Sequence, residues 1–387
     1  MIRLQKNNHL RLLKNGLQYF PALEQAILRA QHEIYLQTYI FEDDETGRRI
    51  AHALKQAAYR GVSVYLLLDG LGSQFLPNRF VQDLRQANIQ VMFYRPVRRF
   101  NYFSKNRLRR QHRKVAVIDG AIGFVGGINI IDDFNVPDDA SPRVDYAVEI
   151  QGTMLLHLTQ SVHRLWRRLS WFQWREIPQQ FIKPTTKLTS HLRPIKSALV
   201  LRDNVLHRRD IEQAYLDAIA RAKYEIIIAN AYFFPGWRMR NALVEASNRG
   251  VKVTLLLQGR IEYWIRVATH AFYAAFLRDG IQIYEYRRSF MHSKVAVIDS
   301  EWATVGSSNI DPFSLMLARE ANVVVLDQTF ANELRESLLQ SIQDGAEQVS
   351  SPAWIKGNLF RRLLSWLVYG LLRGLIGLFG YGREWQG

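Results

Sequence analysis

One stretch of this sequence occurs twice, and that limits what the chain can become. Residues 112–129 read HRKVAVIDGAIGFVGGIN, and residues 292–309 read HSKVAVIDSEWATVGSSN. His112, Lys114, Asp119 and Asn129 match His292, Lys294, Asp299 and Asn309, each pair separated by 180 residues. The likeness runs further. Ala26-Ile27-Leu28-Arg29-Ala30 resembles Ala218-Ile219-Ala220-Arg221-Ala222, and Arg60-Gly61-Val62 resembles Arg249-Gly250-Val251. A period of about 190 residues is far longer than a solenoid unit, so the pattern is that of a duplicated domain. The chain must fold as two similar halves.

Within a half, strand and helix patterns alternate, which defines an α/β class. In the first half the patterns predict a strand over 10–14 closed by the turn Asn15-Gly16, a helix over 19–30, a strand over 34–41 and a helix over 46–59. A continuous apolar run at 62–68 predicts a buried strand. A helix over 80–87 and a strand over 89–94 follow. The four acids Glu42, Asp43, Asp44 and Glu45 are consecutive, do not converge on one ion, and read as a solvated turn. The first half is placed at 1–170, a linker containing Pro178, Pro184 and Pro194 at 171–195, the second half at 196–350 and a tail at 351–387. Two such halves are expected to pack face to face about a pseudo-twofold axis, as in a symmetric dimer, bringing equivalent loops into one site.

Charge narrows the partners. With 51 Lys and Arg against 35 Asp and Glu, the chain carries a net charge of +16. Such a surface is drawn to nucleic acid or an acidic membrane. Nine of these cations lie between Arg95 and Lys114, interleaved with Phe100, Tyr102 and Phe103. With no cysteine, disulfides and thiolate metal sites are excluded. The N-terminus has no uninterrupted apolar run, so neither a signal peptide nor a membrane span is expected there. The tail at 359–380, LFRRLLSWLVYGLLRGLIGLFG, is long enough to span a bilayer. On a helical wheel, however, Arg362, Ser365, Tyr369 and Arg373 share one narrow stripe, which favours an amphipathic helix lying in the membrane interface. A span, a re-entrant hairpin or packing on the protein body are the other readings.

The repeated stretch carries chemistry. His112 and Lys114 are two residues apart at the start of an apolar strand, so both project to one side. Two histidines, two lysines and two asparagines converging by pseudo-symmetry make a cationic, donor-rich pocket suited to a phosphodiester. The lysines and asparagines can neutralise non-bridging oxygens as charge develops. One histidine can attack phosphorus and form a phosphohistidine, while the other protonates the leaving oxygen and later deprotonates the incoming hydroxyl. No metal or other cofactor is called for, because the lysines supply the positive charge. Gly126-Gly127 would allow close backbone approach to a ligand.

HxKxxxxD followed ten residues later by Asn resembles the HKD motif of the phospholipase D superfamily. Ala-Tyr-Phe-Phe-Pro-Gly at 231–236, Glu-Tyr-Arg-Arg at 285–288 and Ala-Thr-Val-Gly-Ser-Ser-Asn at 303–309 are more narrowly similar to bacterial cardiolipin synthases, of the shorter type without two N-terminal membrane spans. The resemblance implies two phospholipase D-like α/β halves with one shared active site. It implies His112 as nucleophile and His292 as general acid/base, although the pseudo-symmetry permits the reverse. It places Lys114, Lys294, Asn129, Asn309 and Ser307 on the phosphate, and Asp145 and Glu320 as acids hydrogen-bonded to the histidines. Asp119 and Asp299 belong to the catalytic motif but are expected to hold its turn. Gly127 stands where the motif usually has serine, so one hydroxyl is missing from the first half.

The activity so implied is a phosphatidyltransferase at the cytoplasmic face of a bacterial inner membrane, making cardiolipin from two phosphatidylglycerols, with the membrane surface and no nucleic acid as partner. A phospholipase D-type hydrolase or nuclease would use the same residues with water as acceptor. A non-catalytic binder of acidic membranes would need neither histidine, and both copies of the motif are complete.

Overall fold

The computed structural model describes residues 4–96, 109–135, 142–173, 194–203, 207–260, 272–311, 314 and 317–349. The tail, most of the linker and residues 97–108 of the basic loop lie outside them. The first half comprises β1 (Gln5–Lys14), α1 (Asn15–Arg29), β2 (Glu33–Thr38), α2 (Glu45–Tyr59), β3 (Ser63–Asp69), α3 (Asn78–Gln86), β4 (Gln90–Tyr94), β5 (Lys114–Ile118), β6 (Ile122–Gly126), β7 (Tyr146–Gly152) and α4 (Met154–Phe172). The second comprises β8 (Ile195–Arg202), α5 (Asp210–Arg221), β9 (Glu225–Asn230), α6 (Trp237–Asn248), β10 (Lys252–Gln258), α7 (Tyr273–Arg278), β11 (Gln282–Tyr286), β12 (Lys294–Ile298), β13 (Trp302–Gly306), β14 (Glu320–Leu326), α8 (Gln328–Gly345) and β15 (Ala346–Gln348). No helix among the described residues is long and apolar enough to cross a membrane.

The sheet order displays the duplication. It runs β15-β11-β10-β9-β12-β13-β14-β8-β1-β7-β6-β5-β2-β3-β4. Outward from the central β8–β1 pair, strands match their counterparts, β14 with β7, β13 with β6, β12 with β5, and so on to β11 with β4, with β15 added at one edge. β1 and β8 pair antiparallel, with Gln5 opposite Ser197 and Asn8 opposite Ile195, and the register shifts between them. Each would otherwise be an open edge, and pairing removes that liability. The sheet doubles over so that β6 and β7 also touch β13 and β14. The halves therefore face one another and are also joined edge to edge, which the sequence does not predict.

Three cores result. Alternation along β5 puts Val115 and Val117 into a core shared by both halves and Ala116 and Ile118 into one private to the first half. Along β12, Val295 and Val297 enter the shared core while Ala296 and Ile298 enter the second half's own. Strands covered on both faces need apolar residues at every position, which is why 62–68 reads as a continuous run. α4 and α8 cover the shared core through Leu158, Trp166, Leu334 and Leu338.

Local departures from the sequence patterns have identifiable causes. Asn15-Gly16 is not a turn between elements. Asn15 takes a left-handed φ of 57°, which its short polar side chain tolerates, and β1 passes directly into α1. Asp44 is the N-cap of α2, accepting from Gly47 N at 2.8 Å, and its other oxygen accepts from Asp132 N at 2.7 Å. The acidic turn thus caps a helix and pins a loop.

Asp119 and Asp299 close the repeated strands with left-handed φ values of 51° and 52°. The Asp119 carboxylate accepts from the backbone N–H groups of Gln31, His32 and Glu33 at 2.8, 2.9 and 2.9 Å. Asp299 does the same for Lys223, Tyr224 and Glu225 at 2.8, 2.8 and 2.9 Å. Each carboxylate ties the end of one strand to the start of its neighbour. Asp119→Ala should cost about 2 kcal/mol of stability, because bonds to a charged acceptor are lost. Denaturant titration checks this, and the folded fraction should keep its activity; an undisturbed midpoint with lost activity would place Asp119 in the chemistry instead.

Candidate active site

β2 and β5 run antiparallel, with Gln37 opposite Val115, so the C-terminal end of β2 lies beside the N-terminal end of β5. His112 precedes β5 by two residues and therefore sits at that edge of the sheet. His292 precedes β12 in the same way, beside the end of β9. Asp119 and Asp299 lie at the far ends of these strands, seven residues and roughly 20 Å from the histidines at strand rise.

What joins the two histidines into one site is a pair of short backbone ladders between the halves. Gln111 bridges Arg319, and Val144 bridges Met291. His112 N donates to Arg319 O at 3.0 Å, and Arg319 N to Arg110 O at 2.8 Å. His292 N donates to Val144 O at 2.8 Å, and Val144 N to Phe290 O at 3.1 Å. Each histidine is thereby held level with the residue before an acid of the opposite half. The acids complete the pairing. His112 Nδ1 bonds Glu320 Oε1 at 2.9 Å, and His292 Nδ1 bonds Asp145 Oδ2 at 2.7 Å. Both pairs cross between halves, so neither half holds an oriented histidine by itself. A carboxylate on Nδ1 sets the tautomer and leaves Nε2 as the reactive nitrogen.

Lys114 and Lys294 are almost fully buried. Lys114 Nζ donates to His112 O at 2.9 Å, and Lys294 Nζ to His292 O. Burial pushes Lys114 down to about 7, with Glu320 opposing and Lys294 adding to the shift. It pushes Lys294 down to about 8, opposed first by Asp145. Burial also lowers His112, with Glu320 acting against it. His292 falls well below the ordinary imidazole range, first through burial and then through Lys294, Lys114 and His112. Asp145 is raised by burial to about 7, against the pull of Lys294. These mutual influences belong to groups sharing one enclosure. It holds buried cations that an incoming anion would stabilise.

Asn129 and Asn309 are buried at the ends of their loops. Asn129 Oδ1 accepts from Ile40 N at 3.2 Å, which fixes the orientation of its amide. Among the described residues, Asn309 Oδ1 has no hydrogen-bond partner. Ser307 is fully buried, and its hydroxyl donates to Glu320 Oε2 at 2.5 Å. It therefore braces the acid that orients His112. At the equivalent place in the first half, a Cβ on Gly127 would overlap the Asp145 carboxylate. The glycine makes room for the acid rather than for a ligand.

Several neighbours gave no signal in the sequence. The Tyr39 ring meets the His112 ring edge-on at 4.9 Å, and Lys114 Nζ lies 5.3 Å from its centroid. Phe290 stacks on His292 at 6.1 Å with the Arg143 guanidinium on its other contact, 5.3 Å from the ring. Tyr39 reads in sequence as one more aromatic residue of a strand, and its partners come from around the start of the neighbouring strand β5, more than 70 positions on in the chain.

The comparisons with known proteins follow the same outline. The family model described as "Cardiolipin synthase, PLD-like domain" matches residues 23–165 and 215–342, one segment in each half. The chain is 39% identical over 379 residues to cardiolipin synthase B of Salmonella typhi, covering 97% of this chain and 91% of that one. It is 38% identical over 388 residues to cardiolipin synthase B of Escherichia coli strain K12, with the same coverage of 97% and 91%. Among solved structures, phosphatidylserine synthase of Haemophilus influenzae Rd KW20 superposes with a TM-score of 0.70 at 12% identity, covering 97% of this chain and 95% of that one. That likeness concerns the fold.

The titrations set a pH dependence. As pH rises through about 7 to 8, Lys114 and Lys294 lose their protons and with them their attraction for an anion. As it falls below about 7, Asp145 takes up a proton and ceases to support a charged His292. The profile of kcat/KM, which reports the free protein, should therefore be a narrow bell centred between 7 and 8 with apparent values belonging to the cluster. A flat profile from 6 to 9 would contradict this electrostatic description. Glu320→Gln should lower kcat by roughly 10²–10⁴, since Nδ1 loses its anionic acceptor, with circular dichroism unchanged.

Proposed function

This chain belongs to the cardiolipin synthase family of phospholipase D-like proteins, and on that premise we propose that it transfers a phosphatidyl group from one phosphatidylglycerol to another through a phosphohistidine on His112. The observation that carries this reading is the crossed pair of histidine–carboxylate hydrogen bonds around two buried lysines. It supplies one nucleophile, one acid/base and a phosphate cradle in a single enclosure.

The phosphodiester of the donor lipid brings negative charge to Lys114, Lys294 and the amides of Asn129 and Asn309. That charge offsets the lysines' effect on His292, whose affinity for a proton rises. His112 Nε2 attacks phosphorus, and the bond from phosphorus to the glycerol oxygen breaks. His292 passes its proton to that oxygen and glycerol leaves. The hydroxyl of a second phosphatidylglycerol then enters, His292 takes its proton, and the oxygen displaces His112 from phosphorus. Cardiolipin forms, and both rings return to their starting states. The lysines and asparagines act on the non-bridging oxygens, where each such contact contributes roughly 10²–10³ in rate. Water must be kept from the phosphohistidine, or phosphatidic acid would form instead. Glu320, braced by Ser307, favours His112 as the nucleophile, because it stabilises the positive charge that attack leaves on the ring.

The membrane is the source of both substrates, and the net charge of +16 suits an anionic surface. We place the protein peripherally on the cytoplasmic side of the bacterial inner membrane, with the tail at 351–387 as an interfacial anchor. Purified protein added to phosphatidylglycerol vesicles without metal should yield cardiolipin and free glycerol in equal amounts. Phosphatidic acid as the sole product would make the protein a hydrolase. His112→Ala should reduce turnover to background; full retention would sink the assignment.

A further inference from the structure

The exposed large apolar residues are unevenly distributed between the two edges of the sheet. Those on described residues are Leu4, Leu17, Leu28, Tyr59, Phe75, Phe134, Leu156, Trp171, Phe172, Tyr224 and Trp237. Every phenylalanine and tryptophan among them lies on the edge that carries the histidines. Leu28, Tyr59 and Tyr224 lie at the opposite edge, beside the starts of β2, β3 and β9.

Hydrogen bonds locate each aromatic residue. Phe75 is on the loop after β3, fastened to the end of β2 by Ser73 Oγ, which donates to Tyr39 O at 3.0 Å and accepts from Phe41 N at 3.1 Å. Phe134 is on the loop after Asn129, where Arg143 N donates to Asp133 O at 3.0 Å; the Arg143 guanidinium lies against Phe290 and through it against His292. Trp237 opens α6, just past the Phe234 N to Ile310 O bond of 2.6 Å, next to Asn309. Trp171 and Phe172 end α4, where Gln173 Nε2 donates at 3.1 Å to Phe93 O near the end of β4. These five side chains are between 56% and 78% exposed.

Cations accompany them. Arg95, Arg109, Arg110 and Arg319 stand close enough on this edge that Arg95, lowered first by burial, is lowered further by the other three. Arg110 is paired with Asp69 at 3.2 Å. Tryptophan and phenylalanine beside arginines is the composition that enters the headgroup and upper acyl region of an anionic bilayer. A soluble partner would not call for five aromatic residues spread over four separate loop and helix ends around the edge that carries the histidines.

We propose that the histidine-bearing edge is the membrane-docking face, with Phe75, Phe134, Trp171, Phe172 and Trp237 inserted among anionic lipids so that the pocket opens directly onto their headgroups. The inference rests on the phosphatidyl-transfer reading and adds which face meets the lipid. Docking in this pose lets a phosphodiester slide from the bilayer to Lys114 and Lys294 while its acyl chains stay in the membrane. It also seals the mouth against water.

The absence of cysteine makes a direct test available. Phe134→Cys and, as control, Tyr59→Cys in the full-length chain each take one environment-sensitive dye. Phosphatidylglycerol vesicles with acyl-chain bromines should quench the dye at 134 and leave the dye at 59 unquenched. Equal quenching at both positions, or none at 134, overturns the proposal, whatever the tail does. This readout needs no turnover, so failure of the function reading would be seen separately, as wild-type protein inactive on every lipid. A second measurement uses the triple variant F75S/F134S/W237S. Its kcat/KM on vesicles should fall at least about tenfold, as expected from burial of even one such side chain, with its rate on monomeric dihexanoyl phosphatidylglycerol unchanged. An unchanged ratio of the two rates would contradict the docking face.

Discussion

Everything at this site depends on the exchange of carboxylates between the halves. Glu320 serves His112, and Asp145 serves His292. A half folded by itself would hold a histidine without its acid and a buried acid without its histidine, and burying such a charge unpaired is costly. The duplication therefore does more than double a motif. It makes the assembly of the halves a precondition for two competent imidazoles. The β1–β8 pair, the doubled-over sheet and the backbone bridges at Gln111–Arg319 and Val144–Met291 all serve to fix that exchange to within hydrogen-bond tolerance.

The two sides of the exchange are alike without being equal. Glu320 is the longer acid and has the Ser307 hydroxyl on its second oxygen. Asp145 is shorter, and its second oxygen is satisfied by the backbone N–H of Tyr146 at 2.8 Å. Tyr39 lies against His112, while Phe290 and Arg143 attend His292. An acid braced from behind suits a nucleophile that must become positively charged. A ring depressed by neighbouring cations suits a group that takes its proton only when an anion arrives. Pseudo-symmetry builds the pocket, and in the proposed mechanism these departures from it divide the labour.

Much of this was legible in the sequence, for physical reasons that differ by element. The duplication, the buried strands and the His-x-Lys pairs could be read because they are local patterns with fixed spacing. Asp145 and Glu320 were reached only through resemblance to the HKD proteins, since nothing in their immediate sequence marks them as partners of residues 147 and 208 positions away. The crossing of the pairs, the role of Ser307 behind Glu320 and the placing of Tyr39 depend on tertiary contacts alone. Gly126-Gly127 misled, because the same freedom from a Cβ serves either a ligand or a neighbouring strand, and here Ala147 and Asp145 occupy the space. The edge pairing of β1 with β8 was invisible for a similar reason: a strand's own sequence does not name its neighbour.

The proposed reaction turns on a covalent intermediate at one particular histidine. Rapid alkaline quenching of the protein during turnover of phosphatidylglycerol, followed by peptide mass spectrometry, tests it, because phosphohistidine survives base and not acid. A phosphatidyl adduct on the peptide carrying His112, absent from the peptide carrying His292, is the predicted result. An adduct confined to His292, or turnover with no adduct at all on either peptide, would rule this mechanism out.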